Sequence, residues 1–178
     1  IFLGKERVHS GRVILEEHDV RLPNGVTTHY EVDESTPFAV AVLSLAEDGR
    51  VRVARQYRYP IGQWIYDLPG GAGNAVETPA QAAIREFEEE TGLIPIDLEL
   101  LQVIFQNSGR SRWPTYLFFC REVADGQAMD DPEEVVHTVE MTTDEFEVLL
   151  NAGQIVDPAL LVSWFVAKSR GLFDEPYR

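Results

Sequence analysis

Three glutamates lie close together in a segment that the sequence predicts to be helical. Glu86, Glu89 and Glu90 stand at i, i+3 and i+4, so an α-helix gathers their carboxylates within about 100° of arc. Like charges at these spacings destabilise a helix by about 0.2–0.5 kcal/mol per pair. A hard divalent cation would reverse that effect, because Mg²⁺ prefers carboxylate oxygens. A solvated acidic face has the same spacing, so the glutamates alone leave both interpretations open.

The residues around these glutamates follow a longer pattern with fixed spacing. From residue 71 to residue 93 the chain runs GAGNAVETPAQAAIREFEEETGL, with five residues between Gly71 and Glu77 and seven between Glu77 and Arg85. This segment resembles the Nudix box, the signature of a family of phosphoanhydride hydrolases, at every fixed position. The matching residues are Gly71, Glu77, Arg85, Glu86, Glu89, Glu90 and Gly92, with Phe87 and Leu93 at the two apolar positions.

The resemblance implies a metal centre built on the predicted helix. In the family the box binds Mg²⁺, with Mn²⁺ as an alternative, and roughly one to three ions are expected. It implies that Glu86 and Glu90 are the first ligands and that Glu89 binds or bridges a second ion. The carbonyl of Gly70 is expected to complete the set. Arg85 is expected to orient a box glutamate through a charge-assisted hydrogen bond.

Further carboxylates extend the expected catalytic set beyond these ligands. In ADP-ribose pyrophosphatases, the subfamily that this chain most resembles, a general base comes from a loop outside the box. The acidic stretch at 130–134 occupies the corresponding region, and either Glu133 or Glu134 is the expected base. The expected catalytic residues are therefore Glu89, Glu133 or Glu134, and Arg85 in its orienting role. Glu77 is expected either to brace its loop or to bind metal.

The resemblance to nucleoside-diphosphate-sugar pyrophosphatases extends over most of the chain. The QYRY segment at 56–59 resembles the stretch that leads into the box, which implies that Arg58 contacts phosphate or ribose, whereas Trp64 is expected in the core. The subfamily usually has an S-P-G segment whose proline corresponds to Ser108 here. Further substrate contacts, to a second phosphate or to a base, are expected from Arg110, Arg112 and Trp113.

These residues lead to one functional hypothesis and two alternatives. The hypothesis is Mg²⁺-dependent hydrolysis of an ADP-ribose-like nucleoside diphosphate sugar to a nucleoside monophosphate and a sugar phosphate. The alternatives are a pyrophosphatase acting on nucleoside triphosphates or other dinucleotides, and a non-catalytic nucleotide-binding Nudix module. The formal charge of −15, from 15 basic and 30 acidic residues, argues against nucleic acids and anionic membranes as partners. A small-molecule nucleotide bridged by a cation fits that charge.

The helix that carries the glutamates has recognisable signals at both ends. Thr78 is the expected N-cap, Pro79 the first residue, and Gln81 completes a capping box. Gly92 is expected to end the helix and Gly71 to form a tight turn. A buried apolar face is predicted at Ala80, Ala83, Ile84 and Phe87.

Strands predominate on either side of this helix, and two more helices close the chain. One helix is predicted to follow Thr142, and the other to run from Asp157 to near Gly171, apolar nearly all round and therefore largely buried. This order predicts an α+β protein, a Nudix-type α/β/α sandwich with a mixed sheet and an N-terminal antiparallel β region. Strands are predicted at 19–22, 27–32, 38–45, 51–56, 64–68, 98–105, 115–121 and 135–141.

The domain organisation is predicted to be simple. The length of 178 residues suits one Nudix domain, with an N-terminal β region at 1–35 and the Nudix core at 36–178. The resemblance implies that the N-terminal region supports a homodimer. One cysteine, Cys120, gives no intramolecular disulfide and is expected to be buried, and no run of about 18 apolar residues occurs. A cytoplasmic location is expected.

Overall fold

A computed structural model describes residues 1–129 and 136–174. The described residues form twelve strands and three α-helices. The helices are α1 (Pro79–Thr91), α2 (Thr143–Asn151) and α3 (Pro158–Ser169). The strands are β1 (Phe2–Ser10), β2 (Ile14–Arg21), β3 (Thr27–Asp33), β4 (Ala39–Leu45), β5 (Val51–Arg58), β6 (Gln63–Asp67), β7 (Gly70–Ala72), β8 (Leu93–Pro95), β9 (Glu99–Ile104), β10 (Thr115–Cys120), β11 (Val123–Asp125) and β12 (Val136–Met141).

The N-terminal region is a separate antiparallel sheet in the order β1-β2-β3. The strands predicted at 19–22 and 27–32 are part of β2 and β3, which pair as an antiparallel hairpin, and Gly25 supplies the positive φ of 86° that the turn requires. Strand β1 was not predicted, because its sequence FLGKERVHS has no regular alternation of apolar and polar residues. Almost all of β1 is exposed. This sheet therefore buries little apolar surface of its own.

The central sheet is mixed, as predicted. Its strands follow the order β12-β5-β4-β10-β9, with β6 paired to β5 and β7 paired to β4. Strands β4 and β10 run parallel, whereas the other pairings are antiparallel. Strand β7 brings the start of the Nudix-like segment directly beside β4, in the interior of the sheet.

Helices cover both faces of this sheet, which confirms the predicted α/β/α sandwich. On one face, α1 packs on Val40, Val42 and Phe118. On the other face, α2 and α3 enclose a larger core that includes the stacked rings of Phe146 and Trp164. Cys120 is buried on the α1 side, as expected. Within residues 1–129 and 136–174, no helix has both the length and the apolar character needed to cross a membrane.

Helix α1 forms as its sequence signals predict, but its buried face is rotated. Thr78 and Gln81 make the capping box, and Gly92 ends the helix in the left-handed conformation with φ 71°. Its buried residues are Ala82, Ala83 and Phe87, whereas Ala80 is exposed. The prediction of Ala80 in the core was wrong. As a result, the helix face next to the glutamates points towards the sheet.

A further expectation about burial, that Trp64 lies in the core, was wrong. Trp64 is 44% exposed rather than in the core, and its ring stacks on His137 with the centroids 5.6 Å apart. It lies in β6, directly opposite Tyr57 of β5. Most residues of α3 are buried or half-buried, which agrees with the prediction, whereas Phe165 is 56% exposed. The predicted start of α3 at Asp157 and Pro158 is confirmed.

Asp157 caps α3 in a partly buried position. Its carboxylate accepts the Leu160 N–H at 2.7 Å. Burial, reinforced by the neighbouring charge of Asp67, raises the pKa of Asp157 to about 6, although Arg58 acts in the opposite direction. The folded protein therefore holds the Asp157 proton more tightly than the unfolded chain does. Tighter binding of this proton stabilises the folded protein at low pH, and this stabilisation is lost as the pH rises from the ordinary carboxyl pKa towards 6.

Replacing Asp157 with asparagine should therefore stabilise the protein at pH 8. The amide side chain of the variant keeps an oxygen that can accept the Leu160 N–H, but it removes the partly buried charge. We expect the free energy of unfolding in urea to exceed that of wild type by roughly 1–2 kcal/mol at pH 8 and by much less at pH 4. Lower stability of Asp157→Asn at pH 8 would show that the Asp157 charge is itself a stabilising partner of Arg58.

Candidate active site

The glutamates of α1 form a partly buried acidic cluster facing the start of β7. Their side chains are 15% exposed at Glu86 and 27% exposed at Glu89. Glu90, on the same helix turn as Glu89, is also partly buried. Burial removes part of the water that would otherwise screen their mutual repulsion. A counter-charge is therefore needed in this cluster.

Arg85 supplies that counter-charge through hydrogen bonds to several groups of the cluster. Its guanidinium donates to Glu77 Oε1 at 2.7 Å and Oε2 at 3.2 Å, to Glu86 Oε1 at 2.7 Å and to Glu89 Oε2 at 3.1 Å. It also donates to the carbonyl of Ala72 at 3.2 Å. The planar guanidinium of Arg85 thus connects Glu77, in the loop before α1, with Glu86 and Glu89 of the helix.

The titration behaviour of the cluster follows from these contacts. The Arg85 guanidinium holds the pKa of Glu77 below its usual range, with a smaller contribution from the Asn74 backbone. The carboxylates of Glu77 and Glu86 raise the pKa of Arg85. Both oxygens of Glu77 accept hydrogen bonds from Arg85, and Oε2 also accepts the Asn74 N–H at 3.3 Å. Of the two roles that the sequence left open for Glu77, this geometry favours bracing the loop.

The glycine pair at the start of β7 allows the backbone to approach the cluster closely. A Cβ on Gly70, whose φ is 155°, would lie 2.2 Å from the Val40 carbonyl oxygen. A Cβ on Gly71 would lie 2.6 Å from Glu86 Oε2. The expectation that Gly71 forms a tight turn was wrong, because Gly71 is in a strand and its requirement is space for the Glu86 carboxylate. The predicted carbonyl ligand, Gly70, is therefore adjacent to the residue that contacts Glu86.

The donor set at this site fits a hard divalent cation. The carboxylates of Glu86, Glu89 and Glu90 and the backbone beside them offer oxygen ligands, which suit Mg²⁺ or Mn²⁺. Arg85 donates hydrogen bonds to one oxygen of Glu86 and one oxygen of Glu89. The assignment of Gly70, Glu86, Glu89 and Glu90 as metal ligands stays a prediction that this geometry is compatible with.

A second group of potential ligand atoms lies in the N-terminal sheet. One ligand atom from each of Glu16, His18 and Glu34 lies within 4.8 Å of the others. Basic side chains already contact both carboxylates, with Lys5 Nζ 2.6 Å from Glu16 and Arg112 Nε 2.9 Å from Glu34. The charges in this group are balanced without an ion, so we interpret it as an ion-pair network. Sequence patterns did not indicate this group, because strand pairing creates it.

The three arginines among the predicted substrate residues form ion pairs. Arg58 pairs with the buried carboxylate of Asp67. In the loop before β10, Arg110 lies 3.4 Å from Glu31 and Arg112 2.9 Å from Glu34. These two contacts connect that loop to the N-terminal sheet, which the sequence did not indicate.

The loop before β10 is also tied to the N-terminal sheet through its backbone. The Asp33 N–H donates to the Arg110 carbonyl at 2.8 Å. Trp113 is half-buried, and its indole N–H has no hydrogen-bond partner among the described residues. Substrate contact by Arg58, Arg110, Arg112 and Trp113 stays a prediction.

The acidic stretch at 130–134, which contains both candidate bases Glu133 and Glu134, lies outside the described residues. The chain that leads to it is described as far as Met129, whose N–H donates to the Glu89 carbonyl at 2.9 Å. Between this loop and α1 lies a cavity of about 450 Å³. Its lining includes Ile84, Arg85, Glu89 and Met129. The loop therefore approaches the acidic cluster on the side of Arg85 and Glu89.

Comparisons with known proteins find relatives that match most of this chain. The family model described as the NUDIX domain matches residues 35–162. An ADP-ribose pyrophosphatase of Bacillus subtilis (strain 168) is 31% identical over 158 residues, which cover 87% of this chain and 85% of that protein. A methanol dehydrogenase activator of Bacillus methanolicus is 31% identical over 161 residues, covering 89% and 86% of the two chains. The crystal structure of an ADP compounds hydrolase superposes with a TM-score of 0.78 at 20% identity, over 99% of this chain and 96% of that one.

The close approach of Gly71 to Glu86 generates a prediction about metal binding. In Gly71→Ala the added methyl group should displace the flexible end of Glu86 and weaken Mn²⁺ binding about tenfold or more, while the melting temperature changes little. Calorimetric titration of Mn²⁺ into the purified protein measures this effect. Gly4→Ala is a suitable control, because its Cβ would meet only Asp19 at 3.7 Å. Unchanged Mn²⁺ affinity in Gly71→Ala would remove Glu86 from the ligand set.

Proposed function

This chain belongs to the Nudix family, and on that basis we propose that it hydrolyses the diphosphate of a nucleoside diphosphate sugar in the presence of Mg²⁺. The products are a nucleoside monophosphate and a sugar phosphate. The observation that carries the proposal is the partly buried cluster of Glu86 and Glu89 held together by Arg85 beside the glycine pair of β7. A module that only binds nucleotide would not need to keep these carboxylates gathered against their repulsion.

The residues of the cluster have two proposed roles: some bind the divalent ions, and Arg85 orients the residues that bind them. Glu86, Glu89, Glu90 and the Gly70 carbonyl would hold the divalent ions. Ions bound there would neutralise the diphosphate, polarise the attacked phosphorus and lower the pKa of a nucleophilic water. Arg85 fixes the rotamers of Glu86 and Glu89 through its hydrogen bonds. This orientation is set before substrate arrives, so the carboxylates need not reorganise during the reaction.

A carboxylate has to accept the proton of the attacking water. We propose Glu133 or Glu134 for this role, because the acidic stretch follows directly after the loop that docks on α1 at Met129. Glu89 lines the cavity under that loop. The distance from Met129 to Glu133 is four residues along the chain, a span of at most about 14 Å. Glu134 is five residues from Met129, a span of at most about 18 Å, so the chain length allows either glutamate to reach the cluster.

The substrate class rests on the relatives and on the cationic residues around the core. An ADP-ribose pyrophosphatase is among the relatives that share most of this chain, and we propose an ADP-ribose-like substrate for this enzyme. Arg58, Arg110, Arg112 and Trp113 are the proposed contacts to its phosphates and base. Ser108 in place of the usual proline of the S-P-G segment leaves the identity of the base and sugar to experiment. We also propose a cytoplasmic location, since the single cysteine forms no intramolecular disulfide.

A substrate panel tests the proposal directly, and Glu90→Gln tests the metal ligands. We expect wild type with Mg²⁺ to release a nucleoside monophosphate from ADP-ribose or another nucleotide sugar.

Glu90→Gln keeps the size of the side chain but removes its charge, and should lower kcat by about 10² to 10⁴ without loss of the fold. Glu47→Gln, in the exposed β4–β5 turn, serves as the control. Absence of turnover on every compound would contradict the enzyme, and near-normal turnover by Glu90→Gln would contradict its ligand role.

We further propose that residues 1–178 act as one domain whose N-terminal sheet forms a homodimer. A three-stranded sheet with so little buried surface is marginally stable unless another surface covers it. Phe2, Leu3, Val8 and Tyr30 are exposed large apolar residues of this sheet, and a second copy of the chain would cover them. Sedimentation at micromolar concentration should give the mass of a dimer, and Phe2→Asp with Val8→Asp should give a monomer. A monomeric wild type would contradict this arrangement.

A further inference from the structure

Glu88 lies in a variable position of the Nudix box, and its environment gives it no evident stabilising partner within the helix. It is in the C-terminal half of α1, where the helix dipole disfavours an anion, and it neighbours Glu89 and Glu90. Among the described residues, no basic side chain forms an ion pair with it. Its carboxylate instead accepts the backbone N–H of Gln127 at 3.2 Å. The contact of Glu88 therefore lies in the loop that follows β11.

This loop follows the end of α1 residue by residue. Strand β11 pairs with β8 up to Asp125, opposite Leu93. The Gly126 N–H then donates to the Gly92 carbonyl at 2.9 Å, and the Met129 N–H donates to the Glu89 carbonyl at 2.9 Å. Carbonyls at the end of a helix have no partner within the helix itself. The loop supplies these partners, and the Glu88 side chain adds the contact between them.

Gly126 provides the space for this contact. A Cβ at Gly126 would lie 2.9 Å from Glu88 Oε1 and 2.9 Å from Ile94 Cγ1. Both distances are shorter than normal contacts, so a side chain at residue 126 would push either Glu88 or the loop aside. The lack of a side chain at Gly126 thus leaves room for the Glu88 carboxylate at the end of α1.

We propose that Glu88 is a positioning residue for the reaction. It holds residues 126–129 against the helix that carries the metal-binding glutamates, and it thereby fixes the point from which the chain enters the acidic stretch at 130–134. This inference rests on the proposed function, because the stretch contains the proposed base. Small displacements of a reacting group reduce catalysis strongly. Anchoring the chain at Met129, one residue before the acidic stretch, therefore supports a high catalytic rate.

The hydrogen bond and the charge of Glu88 can be separated by two substitutions. Glu88→Gln keeps an oxygen that can accept the Gln127 N–H, whereas Glu88→Ala removes it, and both relieve the same charge repulsion. Hydrogen exchange of the amides at 126–129, followed by mass spectrometry on the whole protein, reports the anchoring without any substrate. We expect exchange in this segment to accelerate on the order of tenfold in Glu88→Ala and to stay close to wild type in Glu88→Gln.

Kinetics and metal binding then link the anchoring to the reaction. Glu88→Ala should lower kcat on the order of tenfold, with KM and Mn²⁺ affinity close to wild type, and Glu88→Gln should restore most of kcat. Gly126→Ala should reproduce the Glu88→Ala effects from the loop side, and adding it to Glu88→Ala should lower kcat little further. Glu47→Ala, in the exposed β4–β5 turn, is the matched control.

Three outcomes overturn the inference. Unchanged exchange at 126–129 in Glu88→Ala would show that the contact does not hold the loop. Faster exchange with unchanged kcat would show that the anchoring has no catalytic role, and a loss of Mn²⁺ affinity would make Glu88 a ligand. The exchange result remains valid if no substrate is ever found, so failure of the proposed function is distinguishable from failure of the anchoring.

Discussion

Arg85 and the carboxylates that it contacts set the geometry of the whole site. Without a counter-charge, the carboxylates gathered on α1 would repel one another in a partly buried position. Arg85 connects Glu77, Glu86 and Glu89 in one network, so the loop before α1 and the helix share a single geometry. A guanidinium suits this role because it stays charged and offers several donors in one plane. The carboxylates of Glu86 and Glu89, which we propose as ligands, are therefore ordered before any cation binds.

The surrounding fold keeps the backbone close to this network. Strand β7 pairs with β4, and Gly73 continues this contact by donating its N–H to the Phe38 carbonyl at 2.9 Å. The Thr36 hydroxyl lies 2.9 Å from the Gly73 carbonyl, which connects the network to the segment after the N-terminal sheet. A series of hydrogen bonds thus connects the segment after the N-terminal sheet with the residues that follow β7 and with α1.

Local signals in the sequence predict much of the site and the fold, whereas features that arise from tertiary contact escape them. The capping box of Thr78 and Gln81 and the helix stop at Gly92 set the bounds of α1, and each depends on residues within one or two turns. The face that α1 buries depends instead on how the helix lies on the sheet, which exposes Ala80 and buries Ala82. The mixed sheet and the helices on both faces followed from the order of predicted elements and from the family resemblance. The ion pairs of Arg110 and Arg112 join residues about 80 positions apart along the chain, a separation at which sequence patterns carry no signal.

An ordered carboxylate cluster of this kind should bind a divalent cation. Calorimetric titration of Mg²⁺ into the wild-type protein, with a non-hydrolysable nucleoside diphosphate analogue present, measures this property without relying on turnover. We expect saturable binding of at least one ion per chain and a higher melting temperature on saturation. No heat of binding and no change in melting temperature would contradict the assignment of the cluster as a metal centre.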